Sequence, residues 1–154
     1  MTFNPYGFRW FFDKKLRGEN RMKLRIKQNF PYCKIKIYNG KNSINLENVI
    51  IDICSSTTMI STDKALEIGL KPELKDKISG ILGINGPEFV CEKMLDQINF
   101  DNKILNNIKV DIGSLCMDDI DAIIGMDILL QLKAVIDFGK MAITTSYEIG
   151  NLIP

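Results

Sequence analysis

Val49-Ile50-Ile51-Asp52-Ile53-Cys54-Ser55-Ser56-Thr57-Thr58-Met59-Ile60-Ser61 sets a single carboxylate between an apolar run and a hydroxyl-rich one. Three β-branched apolar residues lead into one carboxylate. A run of small hydroxyl side chains follows, and then apolar residues resume. A segment such as Val49-Ile50-Ile51 predicts a buried strand. A carboxylate at the end of a buried strand is costly unless it is hydrogen-bonded or shares a proton. The Ser and Thr residues that follow supply donors within reach of it. Two readings of Asp52 stand side by side: a turn residue closing the strand through its side chain, or a catalytic carboxylate.

Working outward, the composition narrows the chemistry. The chain has 154 residues, 45% apolar and 25% charged, which predicts one globular domain with a sizeable core. A net charge of +1 gives no electrostatic case for a nucleic-acid partner. No apolar run approaches the length of a membrane span. The start of the chain lacks the pattern of a secretory leader. Cys33, Cys54, Cys91 and Cys116 are dispersed and form no C-x-x-C pair. Reduced thiols in a cytoplasmic protein are therefore expected. The absence of histidine is the sharpest exclusion. A Ser-His-Asp triad, a Cys-His pair and the common His-bearing metal sites cannot be built from this chain alone. No cofactor and no metal are expected. Acid–base chemistry falls to Asp, Glu, Lys, Tyr or Cys.

Upstream, residues 1–21 form a segment of separate character. Phe3, Tyr6, Phe8, Trp10, Phe11 and Phe12 crowd together, and Lys14-Lys15-Leu16-Arg17 follows. Three readings are open: an arm packed on the domain or a partner, a membrane-interfacial segment, or a flexible extension. The domain itself is expected over residues 22–154. Met22 to Lys27 and Tyr32 to Tyr38 alternate as half-buried strands do, with Cys33, Ile35 and Ile37 on one face. Asn39-Gly40 signals a hairpin turn, with a return strand from Ser43 to Leu46 that leads into Val49.

Downstream, Ser61 to Leu70 predicts a short helix, capped by Ser61 or Thr62 and ended by Gly69. Glu73-Leu74-Lys75-Asp76-Lys77 reads as a solvated loop. Gly80, Gly83 and Gly86 then punctuate an apolar segment, as positive φ, close backbone approach or mobility requires. Strands are expected over 93–100 and 104–112, with a turn at Asp101-Asn102-Lys103. Asp118-Asp119-Ile120-Asp121 matches no calcium loop and reads as solvated. Ile123-Ile124-Gly125 predicts a buried strand end. A short helix from Asp127 to Leu132 follows, with Asp127 structural in its first turn. A hairpin over 135–144 closes the pattern.

The segment around Asp52 resembles the active-site segment of retropepsin-like aspartic proteases, written hydrophobic-hydrophobic-Asp-Thr-Gly-Ser/Ala-Ser/Ala. Ile120-Asp121-Ala122-Ile123-Ile124-Gly125-Met126-Asp127-Ile128-Leu129 is similar to the hydrophobic-hydrophobic-Gly motif and short helix that close the same lobe. The likeness runs from about Met22 to about Thr144 and is nearest the small single-lobe proteases of bacteria. It implies a mostly β fold, a closed or nearly closed acid-protease-type β-barrel with two short helices. It also implies that Asp52 is the catalytic carboxylate. Ser55, Gly83, Ile84, Asn85 and Gly86 would contact substrate, the last four at the tip of a glycine-rich flap.

Only one such Asp segment occurs and no internal repeat is found, so the resemblance implies a homodimer acting on peptide or protein substrate. Each chain would give one Asp52 to a water-activating pair, because two close carboxylates share one proton. A C-terminal strand within 146–154 would, by the same analogy, pair across the dimer. The chain departs from the motif at Ile53 and Cys54, where the family has Thr and Gly. The family's Thr hydroxyl reaches across the two-fold axis, and losing it leaves buried groups unpaired at about 1–3 kcal/mol each. Cys54 adds a side chain where space is tight. The alternative implied by these departures is a pseudo-protease, a dimeric module that binds peptides without cleaving them.

Overall fold

The computed structural model describes residues 20–83, 86–115, 117 and 119–145. The N-terminal arm, Ile84-Asn85 at the tip of the glycine-rich hairpin, and the C-terminal segment 146–154 lie outside the described residues. Among those described, the strands run β1 (Asn20–Lys23), β2 (Arg25–Lys27), β3 (Phe30–Asn39), β4 (Asn42–Ile51) and β5 (Met59–Ser61). After helix α1 (Thr62–Glu67) come β6 (Ile78–Gly83), β7 (Gly86–Phe100), β8 (Lys103–Gly113) and β9 (Ala122–Ile124). Helix α2 (Met126–Gln131), β10 (Ala134–Asp137) and β11 (Ala142–Thr145) complete the order. The fold is mostly β with two short helices, as the sequence implies.

The larger sheet runs β2-β3-β4-β9-β5-β8-β7-β6, and an added pairing of β3 with β7 closes it into a ring. The smaller sheet runs β1-β11-β10. Met22 to Lys27 is therefore not one strand. Leu24 donates its N–H to the Met141 carbonyl at 2.9 Å, and the chain changes sheet at that point. β1 begins at Asn20, two residues before the boundary placed from the sequence.

The apolar pattern explains the packing. Cys33, Ile35 and Ile37 are all buried in the main core, as their alternation predicts. Val49 and Ile51 join that core, while Ile50 packs with Tyr32 and Ile120 in a smaller cluster on the other face. β4 is thus covered on both faces at its end, which is why the sequence there is continuously apolar rather than alternating. Fully burying one such side chain is worth about 1.5–3 kcal/mol. Chain reversals follow local chemistry. Gly40 at φ +58° turns β3 into β4, and Asp101 at φ +56° turns β7 into β8. Ser61 caps α1, its hydroxyl accepting from the Lys64 N–H at 3.4 Å, and Gly69 at φ +73° follows its end.

Candidate active site

The crossing of two distant segments builds the site. β4 runs parallel to β9, pairing Val49 with Ala122, Ile50 with Ile123 and Ile51 with Ile124. The Asp52 N–H extends that ladder to the Ile124 carbonyl at 3.0 Å. The chain then leaves the sheet in a tight loop. The Cys54 N–H donates to Asp52 Oδ1 at 2.9 Å, and the Ser55 N–H to the Asp52 carbonyl at 3.3 Å. Asp52 is half-buried, whereas Ile53 is 64% exposed and Cys54 is exposed beside it. The two residues that depart from the motif therefore face outward next to the carboxylate.

The Ser55 hydroxyl donates to the Thr57 carbonyl at 2.8 Å. The expectation that this hydroxyl serves the Asp52 carboxylate is thus not what the structure shows. Ser55 stiffens its own loop instead, and its carbonyl accepts from the Met126 N–H at 2.8 Å at the start of α2.

Gly125 lies against this loop so closely that a Cβ there would fall 2.5 Å from the Thr57 oxygen and 2.9 Å from the Ser55 oxygen. The need for glycine in Ile123-Ile124-Gly125 is thereby one of space. Asp127 completes the junction. Its Oδ2 accepts from the Thr58 N–H at 2.9 Å, and its Oδ1 from the Thr58 hydroxyl at 2.7 Å and the Ile128 N–H at 2.8 Å. Thr58 Oγ1 accepts in turn from the Gly125 N–H at 3.1 Å. Asp127 is structural, as its place in the first turn of α2 suggests.

Sequence reasoning passed over one buried carboxylate. Asp111 on β8 is buried and accepts from the Thr57 hydroxyl at 2.8 Å. Its signal is an acidic residue within Val110-Asp111-Ile112, but its partner is 54 positions away in sequence. In the acidic run before β9, Asp119 and Asp121 have partners within the protein. Asp121 accepts from the Glu47 and Asn48 N–H groups at 2.8 and 2.9 Å, and Asp119 pairs with Lys27. Among the described residues no group of three or more His, Cys, Asp or Glu side chains is placed to hold a metal ion.

The glycine-rich segment is a hairpin. β6 pairs antiparallel with β7 from Ile78 opposite Cys91 to Gly83 opposite Gly86. Gly86 takes φ +112°, a conformation that favours glycine. Leu82 and Phe89 are 88% and 77% exposed. Ile84 and Asn85 fall between the closing glycines, outside the described residues. The ring carries this hairpin and the Asp52 loop on linked strands, because β7 pairs with β3 and β3 with β4. Of the thiols, burial pushes Cys33 up to about 12, which keeps it protonated and inert.

A family model described as aspartyl protease matches residues 34–128. Among solved structures, the retropepsin-like aspartic protease from Rickettsia conorii superposes with a TM-score of 0.62 at 22% identity. That match covers 82% of this chain and 89% of the other. The retroviral protease-like domain of Ddi1 from Leishmania major gives 0.56 at 15% identity, covering 77% and 90%. Comparison with curated protein sequences finds no match. The family match spans Asp52, the glycine-rich hairpin and Gly125 together, and the two structures share the fold around them: the chain belongs to the aspartyl protease family, with the retropepsin-like fold.

Proposed function

We propose that the protein is an aspartic endopeptidase that works as a homodimer, each copy contributing Asp52. The observation that carries this reading is the setting of Asp52. It stands at the end of a doubly covered strand, half-buried, with one oxygen fixed by the Cys54 N–H at 2.9 Å and the loop locked from behind by Gly125 and Asp127. A half-buried carboxylate held so firmly is preorganised for chemistry. One carboxylate does not suffice for this reaction. Two brought together hold one proton between them; the ionised member then takes a proton from water while the protonated one polarises the scissile carbonyl. Symmetry supplies the second from an identical chain.

In this reading the β6–β7 hairpin is the flap, with Gly83, Ile84, Asn85 and Gly86 touching the backbone of a peptide and Ser55 shaping the floor. The domain placed at residues 22–154, whose first strand reaches back to Asn20, follows the aromatic extension. Free thiols at Cys33, Cys54 and Cys91 support a reducing, cytoplasmic setting. Among the described residues no helix is long and apolar enough to cross a membrane.

The exposed Ile53 and Cys54 favour a second reading, a peptide-binding module with impaired chemistry. Cleavage of a mixed peptide library from about pH 4 to 7 separates the two. The parent, Asp52→Asn and Ile53→Thr/Cys54→Gly chains run in parallel. Cleavage by the parent that disappears in Asp52→Asn supports the peptidase. A silent parent beside an active double variant means that Ile53 and Cys54 switch off an intact scaffold. Silence in all three folded chains supports the binding module.

A further inference from the structure

The loop between α1 and β6 was expected to be solvated, yet it ends on a carboxylate that is nearly buried. The side chains of Asp76 and Lys93 are only 10% and 11% exposed and meet at 2.8 Å. The same Asp76 oxygen accepts from the Glu73 N–H at 2.5 Å and faces the Cys91 thiol at 3.4 Å. Three donors from two segments thus converge on one atom.

The position of this cluster gives it meaning. Ile78 opposite Cys91 ends the β6–β7 ladder, and Cys91 opposite Ile112 starts the β7–β8 ladder. The hairpin therefore leaves the ring at Cys91. Its free part carries Ile78, Leu82 and Phe89 exposed. Asp76 sits at that exit, on the chain entering β6, and binds two side chains of β7. The Glu92 N–H adds a backbone bond to the Lys77 carbonyl at 2.9 Å. The other pairs nearby, Lys75–Glu73, Lys77–Glu92 and Lys109–Glu92, are mostly solvent-exposed and hold little.

We infer that Asp76 is a positioning residue of the peptidase: with Lys93 it clamps the root of the β6–β7 hairpin, so that the hairpin bends only beyond Cys91 and closes on substrate from a fixed pivot. The hydrogen bond from Lys93 holds the Asp76 carboxyl below the ordinary carboxylate value, and Asp76 raises Lys93 in turn. Burial, then Asp76, pushes the Cys91 thiol up, so it stays a donor. Removing the carboxylate leaves the Lys93 ammonium shielded and unpaired, which loosens the pivot.

The inference rests on the peptidase reading, but its test does not need catalysis. Amide hydrogen exchange is followed in full-length parent, Asp76→Asn and Lys93→Gln chains. Exchange in 78–83 and 86–90 is expected to quicken about tenfold in both variants while β4 and β9 stay at the parental rate. Unchanged hairpin exchange overturns the clamp, and so does an equal rise in every strand, which marks mere global destabilisation. If one variant fails to fold, the other carries the same readout. Where the parent cleaves peptide, Asp76→Asn should raise KM about fivefold with kcat within about twofold. Asp76→Glu, which keeps the charge, should restore much of both. A KM equal to the parent's overturns the positioning role. A parent that cleaves nothing counts against the peptidase and leaves the exchange result to decide Asp76.

Discussion

Gly125 shows most sharply how a single residue ties the site together. It stands between β9 and α2, where a Cβ would lie 2.5 Å from one backbone oxygen of the Asp52 loop and 2.9 Å from another. Neither oxygen belongs to a flexible side chain, so neither yields easily. Gly125→Ala is expected to lower the unfolding free energy by about 1–3 kcal/mol, the ordinary range for overpacking. A urea titration followed by circular dichroism measures this, and an unchanged midpoint contradicts the tight junction. At this scale the sequence was partly legible. Asp52 stood out because a carboxylate ends a β-branched run, and Ile123-Ile124-Gly125 because an apolar pair meets glycine. The bonds of Thr58 to Asp127 and of Thr57 to Asp111 were not legible. Each joins residues more than fifty positions apart, and no local pattern encodes such a pairing. Ser55 misled for the same reason: a hydroxyl three residues past a carboxylate has several acceptors in reach, and here the Thr57 carbonyl takes it.

Among the elements, those written in local chemistry were readable. Asn39-Gly40 gave a hairpin, Ser61 and Gly69 bounded α1, and glycines marked the β6–β7 hairpin. What was not readable depended on which strand lies beside which. Met22 to Lys27 alternates as one strand would, yet a bond from Leu24 to Met141 splits it between two sheets. The charged run before β6 looked solvated because burial of Asp76 needs Lys93, which arrives 17 positions later.

The root of the hairpin also has a defined pH behaviour. Asp76 is lowered from 3.8, chiefly by the Lys93 hydrogen bond, so its contribution is present above the ordinary value and is lost as pH falls through the lower folded one. Lys93 is raised from 10.5, so its contribution is complete below that value and is lost only as pH rises beyond it. Glu73, Lys75, Cys91 and Glu92 are the other titratable side chains near the pair. From about pH 4 to 10 the clamp should therefore hold, and hairpin exchange, corrected for its intrinsic pH dependence, should stay flat. Loosening that begins near neutral pH contradicts it.

For the whole molecule, closure is the organising fact. Pairing β3 with β7 closes the larger sheet and sets the Asp52 loop and the β6–β7 hairpin on linked strands of one ring. The proposed peptidase draws its second carboxylate from a second copy of the chain. Mixing tests it directly. Parent and Asp52→Asn chains are combined at constant total concentration, allowed to exchange, and assayed for peptide cleavage. A dyad built from two chains predicts a rate that falls as the square of the parental fraction, to about one quarter at equal amounts. A rate that falls in direct proportion, to about one half, would mean that one Asp52 suffices and would contradict the dimeric dyad.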